Sequence, residues 1–89
     1  MHIELVSSLK GHKLDKWKSL ISSTGLSGNI TPSRTLLIWE DSELIATGSR
    51  EKNILKYLAV SSDHQGEDLL SRILTELRRD AFEEGYRHL

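Results

Sequence analysis

The chain has 89 residues, with 12 basic and 13 acidic side chains for a net charge of -1, and 37% of its residues are hydrophobic. That length supports one small domain, and the charge balance gives no electrostatic case for wrapping nucleic acid or docking on an anionic membrane. The absence of cysteine excludes disulfides, thiolate zinc sites and a cysteine nucleophile, and fits a cytoplasmic location.

Ile3-Glu4-Leu5-Val6 reads as a short strand at a sheet edge. Leu14, Trp17, Leu20 and Ile21 recur at helical spacing, with Lys13, Asp15, Lys16 and Lys18 on the wet side. Gly25 and Gly28 supply the helix exit, and residues 26–34, which hold the only proline, read as a loop. Thr35 to Glu40 and Glu43 to Thr47 are rich in strand formers and flank Asp41-Ser42, so they predict a β-hairpin. Gly48 to Asn53 reads as a second polar break. Ile54 to Val60 has few polar positions and is expected to lie centrally in the sheet, covered on both faces.

The clearest periodicity follows. Leu69, Leu70, Ile73, Leu74, Leu77, Ala81 and Phe82 form one apolar stripe on a helix predicted over residues 66–84. Gly85 is placed to end it in a left-handed conformation, and Tyr86-Arg87-His88-Leu89 looks like the start of another strand. No apolar run approaches the roughly 20 residues needed to span a bilayer, and the first residues show no signal peptide. The order strand, helix, loop, hairpin, strand, helix defines an α/β layered domain with a mixed, mostly antiparallel sheet and two or three helices.

Chemistry concentrates at one joint. A buried strand ends at Val60, a polar turn runs through Ser61, Ser62, Asp63, His64, Gln65 and Gly66, and an amphipathic helix begins near Glu67 and Asp68. Helix starts leave backbone N–H groups unpaired and carry partial positive charge, which favours phosphate. By spacing alone, a plain turn with a helix cap explains the same residues. The four histidines have no metal-ligand spacing, and no metal site is expected. Glu40, Asp41 and Glu43 read as surface charges at the hairpin tip, Trp17 and Trp39 as packing residues, and Arg78-Arg79 as a solvated helix face. No catalytic residue can be assigned, because Ser61 and Ser62 have no His or Asp partners placed by sequence.

The stretch from Tyr57 to Leu70 resembles motif A of the GNAT superfamily of N-acetyltransferases. There a strand ending in a Val-x-Pro-like turn precedes Arg/Gln-Gly-x-Gly-x-Gly/Ala at a helix start; Val60, Gln65 and Gly66 are the matching residues. The order of the preceding elements also matches. More narrowly, residues 53–60, Gln65-Gly66-Glu67 and Leu74-Thr75-Glu76-Leu77 look like the N-terminal domain of the citrate lyase ligases. The resemblance covers the chain from about Thr35 onward. It implies a partial acyl-CoA N-acyltransferase (GNAT-like) fold whose ligand is acetyl-CoA or a CoA-like phosphopantetheine group. That group would be either a small molecule or the prosthetic arm of an acyl carrier protein.

In this reading the backbone of Leu58, Ala59 and Val60 pairs with the pantetheine arm. Gln65, Gly66, Glu67, Asp68, Leu69 and Leu70 surround the pyrophosphate; His64 could donate to it, although its place in the turn reads first as a solvated loop histidine. Asp68 departs from the pattern at the second glycine and Leu70 at the third small position, and Glu67 with Asp68 places two negative charges at the helix start. The later elements, in which these enzymes place a general acid and part of the acceptor site, are missing from the 89 residues. No His-x-Gly-His nucleotidyltransferase pattern occurs. The expectation is therefore a single truncated domain over residues 1–89 that binds the arm without catalysing alone. The rival readings are an acetyl-CoA-dependent N-acetyltransferase completed by dimerisation and a non-enzymatic interaction module. A homodimer through an exposed strand edge is also expected.

Overall fold

The computed structural model describes residues 1–23, 25, 33–65 and 68–87. Among them run β1 (His2–Val6), α1 (Gly11–Ser23), β2 (Arg34–Glu40), β3 (Glu43–Glu51), β4 (Ile54–Val60), a 3₁₀ turn at Ser62–His64, and α2 (Leu69–Glu83). The sheet order is β1-β2-β3-β4, and every neighbouring pair is antiparallel.

Period-two alternation in β2 decides which helix each residue meets. Leu37 and Trp39 join Trp17, Leu20 and Ile21 of α1, together with Leu44 and Ala59. Leu36 and Ile38 face the other way and join Leu69, Ile73 and Leu77 of α2, together with Ile45 and Ala46. The two helices therefore cover opposite faces of the sheet, and β2 and β3 are buried on both. Each fully buried aliphatic side chain contributes about 1.5–3 kcal/mol. The expected α+β architecture holds, with two α-helices and one 3₁₀ turn among the described residues. No described helix is long and apolar enough to cross a membrane.

Four expectations change. Ile54–Val60 is an outer strand rather than a central one: only β3 pairs with it among the described residues, and Ile54 is 58% exposed. Its apolar composition reflects contact with both helices, which says nothing about lateral neighbours. The polar break after Thr47 does not exist, because β3 continues to Glu51 and only Lys52-Asn53 turns the chain. The polar residues there are satisfied internally. Ser49 Oγ shares a hydrogen bond with Thr35 Oγ1 at 3.1 Å, and Arg50 is neutralised by α2. Phe82 leaves the apolar stripe and is 70% exposed, since one step past Ala81 turns it about 100° around the helix. Tyr86 and Arg87 belong to no strand, and residues 88–89 lie outside the described set, as does most of the loop read over 26–34.

Gly85 ends α2 as its position in the sequence implied. Its φ is 99°, its N–H donates to Phe82 O at 3.0 Å, and the Tyr86 N–H donates to Ala81 O at 3.0 Å. These two bonds make a Schellman motif, which satisfies carbonyls the helix would otherwise leave free. A Cβ at Gly85 would meet nothing within 4 Å, so substitution acts through backbone strain alone. Gly85→Ala is expected to cost about 1 kcal/mol, read as a lower midpoint in urea unfolding with an unchanged slope.

Candidate functional site

The site begins with a defect in the sheet. Pairing of β3 with β4 runs from Ala46↔Val60 and Thr47↔Ala59 to Ser49↔Lys56. One residue, Gly48, therefore opposes two, Tyr57 and Leu58. This is a β-bulge, a device that bends a strand and re-aims its side chains. Tyr57 takes a left-handed φ of 53° there, at a cost of roughly 1–3 kcal/mol for a residue with a Cβ. Its ring packs edge-on against Trp17, with centroids 5.3 Å apart at 78°.

Beyond the bulge, β4 runs out beside the start of α2. Between them lies a cleft of about 470 Å³, lined by Leu58, Ala59, Val60, Gln65, Asp68, Leu69 and Leu70. The structure thus gathers seven residues named from the sequence around one cavity. Its walls are mostly apolar, and Leu70 stands 48% exposed at its mouth. Asp68 precedes α2 with a left-handed φ of 58° and makes no side-chain capping bond, so its carboxylate does not occupy the first N–H groups of the helix. Gly66 and Glu67 lie outside the described residues.

His64 is separated from this group. Its Nε2 lies 3.6 Å from Glu40 Oε2, in a second cleft lined by Lys16, Glu40, Asp41, Ser42, Glu43 and His64. Its side chain is 15% exposed. Glu40, Asp41 and Glu43 are exposed at the hairpin tip, as their sequence context implied. Among the described residues no group of His, Asp or Glu side chains has metal-binding geometry.

The far end of α2 is held by charge. Asp80 accepts from Arg34 Nη2 at 2.6 Å and Arg34 Nε at 3.1 Å, and from Arg50 Nε at 2.9 Å and Arg50 Nη2. Arg50 is 1% exposed; it also donates to Lys52 O at 2.7 Å and Glu84 Oε1 at 2.5 Å. The Tyr86 ring lies 5.9 Å from its guanidinium carbon. The hydrogen bonds from Arg34, opposed by burial and reinforced by Arg50, hold the Asp80 carboxyl below its ordinary value. The helix is therefore fixed at its C-terminal end by ion pairs and leaves its N-terminal end beside the cleft. Sequence reasoning missed this network and the bulge. The bulge had one readable signal, a glycine inside a strand pattern.

A two-helix α+β layer with this order of strands is a partial GNAT-like fold. The crystal structure of a protein of unknown function from meticillin-resistant Staphylococcus aureus, described as a probable acetyltransferase, is similar over 92% of this chain and 71% of that one. The TM-score is 0.71 and the sequence identity 14%. Identity that low carries the fold alone. No family model matches the chain, and no curated protein matches it with significance.

Proposed function

We propose that this chain grips a coenzyme A-type phosphopantetheine arm in the cleft between β4 and the start of α2. One observation carries the reading: the apolar cleft adjoins the first turn of α2, which the Asp68 side chain does not cap, at Asp68 and Leu69. An arm with an alkyl stem and two amides suits an apolar wall beside open strand backbone. The diphosphate at its end suits unpaired helix N–H groups. The Asp68 carboxylate opposes that anion, so affinity is expected to be modest. Within this reading, the resemblance of residues 53–60 and 74–77 to the citrate lyase ligases supports the arm of an acyl carrier subunit as the physiological ligand. The domain then holds the arm while a partner does the chemistry.

Calorimetric titration with coenzyme A tests the proposal. Binding in the millimolar range or tighter is expected, and Leu70→Glu should weaken it at least tenfold by placing a further negative charge at the mouth. Leu70 is half-exposed, so the fold should tolerate the change. No heat with either coenzyme A or acetyl-CoA would remove the proposal's main support.

The name given to the Staphylococcus aureus structure favours a second reading, acetyl transfer to an amine. Turnover of acetyl-CoA with small amine acceptors, abolished by Leu70→Glu, would establish it over simple binding.

A further inference from the structure

Three constraints meet at Tyr57. In the bulge it shares the single opposing residue Gly48 with Leu58. Its backbone is left-handed, with φ at 53°, a conformation an aromatic residue holds only when its surroundings impose it. Its ring rests on Trp17, and Trp17 is fully buried, so that platform has no room to swing. On the opposite face, Leu58 occupies the space over Gly48, where an added Cβ would come within 2.8 Å of Leu58 Cδ2. Leu58 is also the first wall residue of the cleft, and none of the lining residues comes from α1.

We propose that Tyr57 is a positioning residue for the cleft, its contact with Trp17 on one face of the sheet fixing the strand backbone from which Leu58 and Val60, on the other face, meet a ligand. The inference rests on the pantetheine-arm reading above and extends it to residues that touch no ligand. Through Tyr57, α1 acts on a cavity it does not line. The bulge is the lever: residues 57 and 58 face opposite sides of the sheet and share one opposing position, so a change of φ at Tyr57 redirects the strand at Leu58.

The test compares coenzyme A affinity in Tyr57→Phe, Tyr57→Ala, Tyr57→Gly and Trp17→Leu. Each is measured at a temperature where urea unfolding shows that variant to be fully folded. Tyr57→Phe keeps the ring and should bind as the wild type does. Tyr57→Ala should bind about tenfold more weakly. Tyr57→Gly should recover part of that loss, because glycine adopts positive φ without a steric cost. Trp17→Leu should weaken binding although it lies outside the cleft. Wild-type affinity in Tyr57→Ala overturns the inference, and so does equal weakening in Tyr57→Phe. A ligand-free measurement separates this outcome from failure of the underlying reading. In NMR spectra of the free protein, Tyr57→Ala should lose the left-handed backbone coupling at position 57 and speed amide exchange at residues 58–60, while Tyr57→Phe changes neither. If the wild type takes no coenzyme A, the arm-binding reading falls and the positioning of a ligand site falls with it; if coenzyme A binds but the NMR signatures of Tyr57→Ala match the wild type, only the Tyr57 inference falls.

Discussion

Asp80→Ala is expected to destabilise the fold by about 3–5 kcal/mol, the usual consequence of removing one partner from a buried ion pair. Domains commonly have only about 5–15 kcal/mol in total. The magnitude comes from what the substitution leaves behind. Arg50 would remain 1% exposed with its guanidinium facing an apolar methyl, and Arg34 would lose both of its bonds to the carboxylate. Glu84 still reaches Arg50 at 2.5 Å and Arg34 at 3.6 Å, but it is half-exposed and supports them less. Urea unfolding monitored by tryptophan fluorescence gives the number directly. A paired replacement separates stability from charge: Arg50→Met with Asp80→Leu should recover most of the loss, because an apolar pair of similar volume avoids the desolvation cost.

The same carboxylate sets a pH dependence. Its folded pKa is lowered, first by the Arg34 hydrogen bonds, so in acid the unfolded chain binds its proton before the folded one does. The stability that Asp80 contributes is complete above the ordinary carboxylate range near 3.8 and is lost as pH falls through the lower folded value. Wild-type stability should therefore drop below pH 4 more steeply than that of the Arg50→Met, Asp80→Leu pair. Equal slopes would show that the ion pair is not what acid breaks.

What the sequence revealed depended on how far apart the cooperating residues lie. The two helices, the hairpin and the Gly85 stop are local patterns of apolar spacing and turn chemistry, and they were legible. The residues around the cleft were named through the family resemblance, and they come from one continuous stretch of sequence between the end of β4 and the first residues of α2. Arg50 and Asp80 are 30 positions apart. Nothing near Arg50 announces that its charge will be met inside the protein, so Gly48, Ser49 and Arg50 together resembled a turn. The outer position of β4 was hidden because side-chain composition reports what covers a strand's faces, while lateral pairing is a property of the backbone. The separation of His64 from the cleft has a similar origin. Adjacent residues in a tight turn point in different directions, and the sequence does not give the rotation.

Gly48 is where the sheet, the bulge and α2 are packed without spare volume, and Gly48→Ala should show it. A Cβ there would overlap Ile73 Cγ2, and it would lie 2.8 Å from Leu58 Cδ2 and 3.2 Å from Leu77 Cδ1. Leu58 is only partly buried and can rotate away into the cleft. Ile73 is fully buried, and its branched Cβ allows little change of rotamer in a helix, so α2 itself must lift. Overpacking of this kind costs about 1–3 kcal/mol, and Gly48→Val should reach the upper end or prevent folding. A double-mutant cycle identifies the cause. Ile73→Ala alone should cost about 2–5 kcal/mol through the cavity it opens. Combined with Gly48→Ala it should cost less than the sum, because the new methyl enters the vacated space. Strict additivity would mean that the added methyl does not use the space Ile73 leaves, and that the close approach of Ile73 is not what the glycine permits. Both responses to the methyl, rotation of Leu58 and movement of α2, alter the walls of the cleft. Gly48→Ala should therefore weaken coenzyme A binding even in the fully folded fraction, and Ile73→Ala in the same chain should restore part of it.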